Sequence, residues 1–383
     1  MGHQPIYLDH AATTPVDPAV VDAMLPALQG TFGNPSSVHR AGQAARRLVE
    51  TAREQVAAAV GALPAEVHFT SGATEADNQA LRGLLAGRPG GGLLTSPLEH
   101  VAVLGTARAL AAEGTPVRYL PVDARGVITA DAVREGLRQA PATALVALMA
   151  VNNETGVLTD VAAVAEAAHE HGALLFCDAV QAFGSEPVDV AAWGVDLLAL
   201  SAHKVHGPKG VGALYVRNGV RLAPILFGGE QERGLRPGTH GVPAIVGMGV
   251  AAEMARAERT ARRERVRAAR DAFEAVALAV PGVRLNAAGA PRGVKHSNLR
   301  VDGADGETLL LALDDLGVQA SAGSACSAGS VEPSHVLLAM GLGREEARSS
   351  LRFSFAHTVS VPQAVRAAAA LAEAVVRARG VAA

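Results

Sequence analysis

The chain has 383 residues, 49% of them apolar, and a formal charge of −3 at neutral pH. Its length exceeds one hydrophobic core and predicts a large and a smaller domain, while the near-balanced charge gives no footprint for direct nucleic-acid binding. The longest apolar run (144–151) is too short to span a bilayer, and the opening MGHQPIYLDHAATTP lacks the pattern of a secretory signal. Two distant cysteines, Cys177 and Cys326, fit neither a disulfide framework nor a CxxC metal or redox motif.

In chain order, helical spacing runs from Ala41 to Ala62, VHFT (67–70) is a short strand, and Thr74 to Leu85 is a helix. LLTS (93–96), PVRYLPV (116–122), ALVALMAV (144–151), ALLFCDA (173–179) and LLALSAH (197–203) are strand candidates, with helices such as Asp160 to His171 between them. Continuous apolar runs rather than alternating ones indicate strands covered on both faces. Together they predict an α/β domain with a mostly parallel sheet. Val242 to Val280 reads as one long helix ending at Pro281, with RAERTARRERVRAARD as a solvated face. SSLRFSFAH reads as an alternating strand. The loop SAGSACSAGS (321–330) is small and polar, which suggests an exposed, mobile segment.

Ligands of parallel sheets bind beyond the carboxyl ends of the strands. The unusual residues collect there: SGATE, EH, NNETG, DAVQ and HK each follow a strand candidate. SGATEADN (71–78) opens a helix whose free N–H groups suit an anion, although for the motif alone an ordinary cap by Thr74 or Ser71 is the favoured reading. It is neither a Walker loop nor a GxGxxG. Asp178 ends a buried strand; it either caps the next turn or keeps a bound pyridine nitrogen protonated.

The chain has three lysines, Lys204, Lys209 and Lys295. Lys204 beside apolar strand ends is a candidate Schiff-base amine, whereas Lys209 in GPKG reads as an exposed loop residue. His100 in a turn is either a cap or a ring-stacking group. Cys177 reads as buried. Cys326, among Gly, Ala and Ser, reads as an accessible reactive thiol. Arg352 is either a surface ion pair or a fork for a carboxylate.

Ten stretches along nearly the whole chain resemble cysteine desulfurases of the NifS/IscS type, within the class V aminotransferases of PLP fold type I. They are YLDHAATTPVDP, GNPSSVHRAG, FTSGATEADN, EHVAV, VNNETGV, DAVQ, SAHKVHGPKGVGALYVR, ERGLRPGT, SAGSACSAGSVEPSHVL and SSLRFS. The resemblance implies a large cofactor domain (15–255) and a smaller α+β domain (1–14 and 256–383) carrying the cysteine loop (321–332). It implies pyridoxal 5′-phosphate bound covalently by Lys204, with its phosphate held by Ala73, Thr74, Ser201, His203 and, across a homodimer, Thr239. Asp178 would pair with the ring nitrogen, Gln181 with the ring hydroxyl, and Asn153 would lie near both hydroxyl and substrate. His100 would stack on the ring and move protons. Arg352, with Asn34, would bind the substrate carboxylate.

The implied reaction takes sulfur from L-cysteine, leaves alanine, and passes a Cys326 persulfide to acceptor proteins in iron–sulfur assembly or in tRNA or cofactor thiolation. No metal site and a cytoplasmic location are expected. Related PLP chemistry (an aminotransferase, a kynureninase-like lyase or a selenocysteine lyase) and a non-catalytic sulfur-relay scaffold are the alternatives. The sequence departs from the family at Phe355, Ala356 and His357, where Gly and often Arg are usual. It departs again at Gly229, Glu230 and Gln231, where three glycines are usual.

Overall fold

The structure is a computed structural model and describes residues 5–322 and 332–381. Its strands are β1 (Ile6–Tyr7), β2 (Val67–Thr70), β3 (Gly92–Thr95), β4 (Val117–Tyr119), β5 (Thr143–Met149), β6 (Leu174–Asp178), β7 (Leu197–Ser201), β8 (Gly212–Val216), β9 (Val283–Leu285), β10 (His296–Val301), β11 (Val318–Gln319) and β12 (Ser350–Ser354).

Seven of them form one sheet in the order β2-β8-β7-β6-β5-β3-β4. The pairs β3–β4, β3–β5, β5–β6 and β6–β7 are parallel, and β8 is antiparallel to both β7 and β2. Two reversals leave β2 running with the parallel set, so β2, β3, β5, β6 and β7 all end on one side. Every position of β5 and β7 is buried, the condition that their unbroken apolar sequence indicated. One apolar cluster joins Val146, Leu175 and Leu198 to Val49, Val56 and Met248, and another joins Leu145, Phe176 and Leu197 to Leu81 and Val103.

A separate cluster surrounds the antiparallel sheet β12-β10-β9 and the parallel pair β1–β11. Phe273 packs on Phe353 at 4.6 Å and on Phe355 at 5.4 Å between ring centres. Ile6 and Leu8 enter the same cluster, so the amino-terminal residues pack with the carboxy-terminal third.

Three expectations need correction. The single helix over 242–280 is two, Val242–Ala257 and Arg259–Ala277, separated at Glu258. The charged segment is not wholly solvated. Arg262 and Arg270 are buried, and each is paired with an acid, Glu258 and Asp271 respectively. β12 does not alternate: all five of its residues are buried, because Leu351 and Phe353 pack into the cluster while the Arg352 and Ser354 side chains bond to Asp9 and Ala11. Among the described residues, no helix is long and apolar enough to cross a membrane.

Candidate active site

The segments that follow the five co-directed strands line a cavity of about 610 Å³. Lys204 comes from a short 3-10 turn (Ala202–Lys204) directly after β7. Its Nζ donates to the carbonyls of Ala11 (2.5 Å) and Ala12 (2.8 Å). Gln181 Nε2 also donates to Ala11 O, at 2.9 Å, while its Oε1 is buried without a hydrogen-bond partner among the described residues.

Asp178 is the last residue of β6. One of its oxygens accepts from Val180 N–H at 2.9 Å. Burial pushes its carboxyl pKa up, and His100 and Lys204 pull against that. His100 caps the helix Val101–Ala112 through Nδ1, which accepts from Ala102 N–H at 3.2 Å. That bond leaves the other ring nitrogen to carry the proton in the neutral ring. Burial lowers the His100 pKa, while the Asp178 charge opposes the shift. His100 therefore caps this helix and also lines the cavity.

The helix Ala73–Ala86 starts at Gly72 with no side-chain cap. Neither Thr74 nor Ser71 caps it, which corrects the reading the motif alone favoured: the helix start is open. Ala73 and Thr74 line the cavity, and first-turn N–H groups without a cap are available to an anion. Ser201 and His203 border the same region. The His203 Nδ1 is 3.1 Å from Thr13 Oγ1, and burial holds this histidine at a pKa of about 4, hence neutral. Lys209 is exposed, as expected, and stands at the rim.

Arg352 is not a surface residue. It is 2% exposed and donates to Asp9 Oδ1 (2.8 Å) and to the carbonyl of Asn153 (2.9 Å). Asn153 presents a buried Oδ1 without a partner among the described residues. Thr239 and Asn34 are both exposed, and neither lines the cavity of its own chain. Asn34 Oδ1 accepts from Ser36 N–H instead. Cys326 lies outside the described residues, as does most of the 321–332 loop. Cys177 is buried, as expected.

Two features escaped sequence reasoning. Asp77 and Glu99 are buried beside Asp178, and burial raises all three carboxyls, with charge from Asp178 adding to the rise at the other two. Clustered carboxyls cannot all ionise. The only hint in the sequence was the proximity of Asp77 and Glu99 to strand ends. His335, within a quoted motif but given no role, lines the cavity and places Nε2 3.0 Å from Glu99 O.

The aminotransferase class-V family model matches residues 6–364. A putative cysteine desulfurase, IscS 1, of Bacillus subtilis is 45% identical, over 97% of this chain and 99% of that protein. A solved NifS-like protein superposes with a TM-score of 0.90 at 34% identity, covering 97% of this chain and 99% of its own. A structure of SspA in complex with cysteine gives 0.81 at 37% identity, covering 91% and 98%. The chain belongs to the aminotransferase class-V family, in its cysteine desulfurase branch, and has the α/β fold-type I architecture of that family.

Proposed function

We propose that this protein is a pyridoxal-phosphate-dependent cysteine desulfurase, with L-cysteine as substrate, alanine as product and Cys326 as the sulfur carrier. The observation that carries the reading is the convergence of Lys204, Asp178 and the uncapped helix start at Ala73 on one cavity. The cavity suits the cofactor chemically. An open helix start with Ser201 and His203 suits a phosphate, a carboxyl suits a ring nitrogen, and the orphaned Gln181 Oε1 suits a ring hydroxyl.

Bound there, the cofactor supplies an electron sink that eases removal of a substrate α-proton. Lys204 Nζ would hold it covalently, for which it must leave Ala11 O and Ala12 O. Asp178 keeps the ring nitrogen protonated. Protonation of Asp77 and Glu99 leaves the one negative charge of the buried cluster on Asp178. His100, at the cavity wall, would move protons to and from the substrate. Arg352 and Asn153 take the substrate carboxylate and amine side.

Cys326 thiolate attacks the substrate sulfur. An S–S bond forms, the Cβ–S bond breaks, and the carbon skeleton keeps that bonding pair and gains a proton as alanine. The persulfide then passes to an acceptor protein in iron–sulfur assembly or in tRNA or cofactor thiolation. Thr239, remote from its own cavity, contributes to the phosphate site across a homodimer. The exposed apolar side chains Phe32, Val38 and Phe227 support such an interface. A cytoplasmic, reducing compartment suits a working thiol.

The test is incubation with L-cysteine while alanine and sulfide are measured, with Lys204→Ala and Cys326→Ser in parallel. Wild type should make both products and the variants neither. Full alanine output from Cys326→Ser would reject the thiol mechanism, and failure of wild type to take up cofactor would favour a non-catalytic scaffold.

A further inference from the structure

Lys204 borders a second cavity, away from the one described. It is small, about 40 Å³, and lies between the turn after β7, the helix Arg259–Ala277, the residue preceding β10 and the residues following β12. Its ionisable lining is Lys204, His206, Arg262, Arg263, Lys295 and His357. No carboxylate borders it among the described residues.

Lys295 is the unusual member. It is 6% exposed, and its ammonium makes no hydrogen bond or ion pair among the described residues. A buried cation without a counter-charge is costly. The acid that acts on it, Asp9, is already bonded to Arg352 at 2.8 Å. Arg262 and Arg263 use one side of each guanidinium on Glu258 (3.0 Å) and Glu186 (2.8 Å). His206 commits Nδ1 to the Pro15 carbonyl at 3.1 Å, and the His357 ring packs edge-on against it at 4.7 Å. Phe355 N–H donates to Lys295 O at 2.9 Å, so the segment that departs from the family, 355–357, forms part of this wall.

We propose that this cavity is a binding site for one small monovalent inorganic anion, of the halide or hydrosulfide class, held chiefly by Lys295. The charged side chains that line it are all basic, which suits an anion and repels a metal ion. The volume exceeds the roughly 10–15 Å³ that a single water needs and is far too small for an amino acid or a second cofactor. Charge supplied here sits beside Lys204, which lines both cavities.

The experiment is diffraction at the bromine edge from crystals of the full-length protein grown in sodium bromide, alone and with chloride or hydrosulfide added in excess. The expected result is an anomalous peak in contact with Lys295 Nζ in wild type that is lost in Lys295→Met. Displacement at lower concentration by hydrosulfide assigns the site to that anion, and displacement at lower concentration by chloride assigns it to halide. No bromide in the wild-type cavity overturns the proposal without recourse to any variant. So does a peak that persists in Lys295→Met.

Discussion

Ser321 and Arg352 exchange both backbone hydrogen bonds, at 3.1 and 2.7 Å, so the chain leading into the Cys326 segment is pinned to the strand that carries the buried arginine. The same arginine reaches Asp9 at one end of the sequence and Asn153 after β5. Two remote stretches therefore meet at one guanidinium, and a planar fork serves them together.

Arg352→Lys keeps the charge but not the fork. A charge-assisted hydrogen bond is worth about 1.5–3 kcal/mol, so KM for L-cysteine should rise roughly 10- to 100-fold. Steady-state kinetics on the variant checks this. An unchanged KM with lowered kcat would mean that Arg352 acts on the chemistry and not on substrate binding.

Asp178→Asn should retain the fold and bind cofactor, because the residue sits at a strand end with one backbone contact to keep. It removes the charge that holds the ring nitrogen protonated. Alanine formation should fall by about 10²–10³-fold, the scale of losing one well-placed electrostatic group. The cofactor absorbance spectrum should change with it. Normal turnover would relocate the counter-charge to another residue.

Glu232 offers a stability test away from the cavity. Its carboxylate accepts from Arg53 (2.7 and 2.9 Å) and Phe69 N–H (2.9 Å) and lies 2.6 Å from His240 Nε2. Burial pushes its pKa up, but hydrogen bonds from His240 and Arg53 overcome that and hold it at about 2. The unfolded carboxyl titrates higher, so the stabilisation is complete above about pH 4.5 and is lost as pH falls toward 2. Glu232→Gln leaves the buried Arg53 with only the half-exposed Glu50 as counter-charge, at a cost of about 2–3 kcal/mol, below that of a fully unpaired buried ion. Urea midpoints near neutrality should show the full difference, and the difference should shrink below pH 4.

Lys295 has the opposite sign. Burial and the neighbouring Lys204 and Arg352 lower its pKa to about 7, against 10.5 for the free amine. Between those values the unfolded chain binds the extra proton, so this group makes wild type more stable as pH rises from 7 to 10. The penalty is fullest below 7, on the order of 4 kcal/mol. In halide-free buffer Lys295→Met should therefore raise the urea midpoint at pH 6 and change it little at pH 10. Destabilisation at pH 6 would show that the ammonium has a partner in solution.

Sequence reading reached the sheet because strands buried on both faces, such as 143–149 and 197–201, must be continuously apolar. It reached the cavity because polar residues at the ends of co-directed strands converge. It did not reach what depends on contacts between remote segments. Nothing in GEQERG marks Glu232 as the acceptor for Arg53, 179 residues away. The break at Glu258 is invisible to periodicity, since both helices keep good helix formers to their ends. Arg352 looked like part of an alternating strand because the residues its side chain bonds to, Asp9 and Asn153, are remote in sequence. Lys295 stood out only as one of three lysines, and its burial follows from packing between β10 and the Arg259–Ala277 helix.

The most direct measurement is mass analysis of the Cys326 peptide after one addition of L-cysteine to the purified protein. The peptide should gain one sulfur atom in wild type and none in Lys204→Ala, with the buried Cys177 peptide unchanged in both. Stoichiometric alanine with an unmodified Cys326 peptide, or sulfur found on Cys177, would contradict the account.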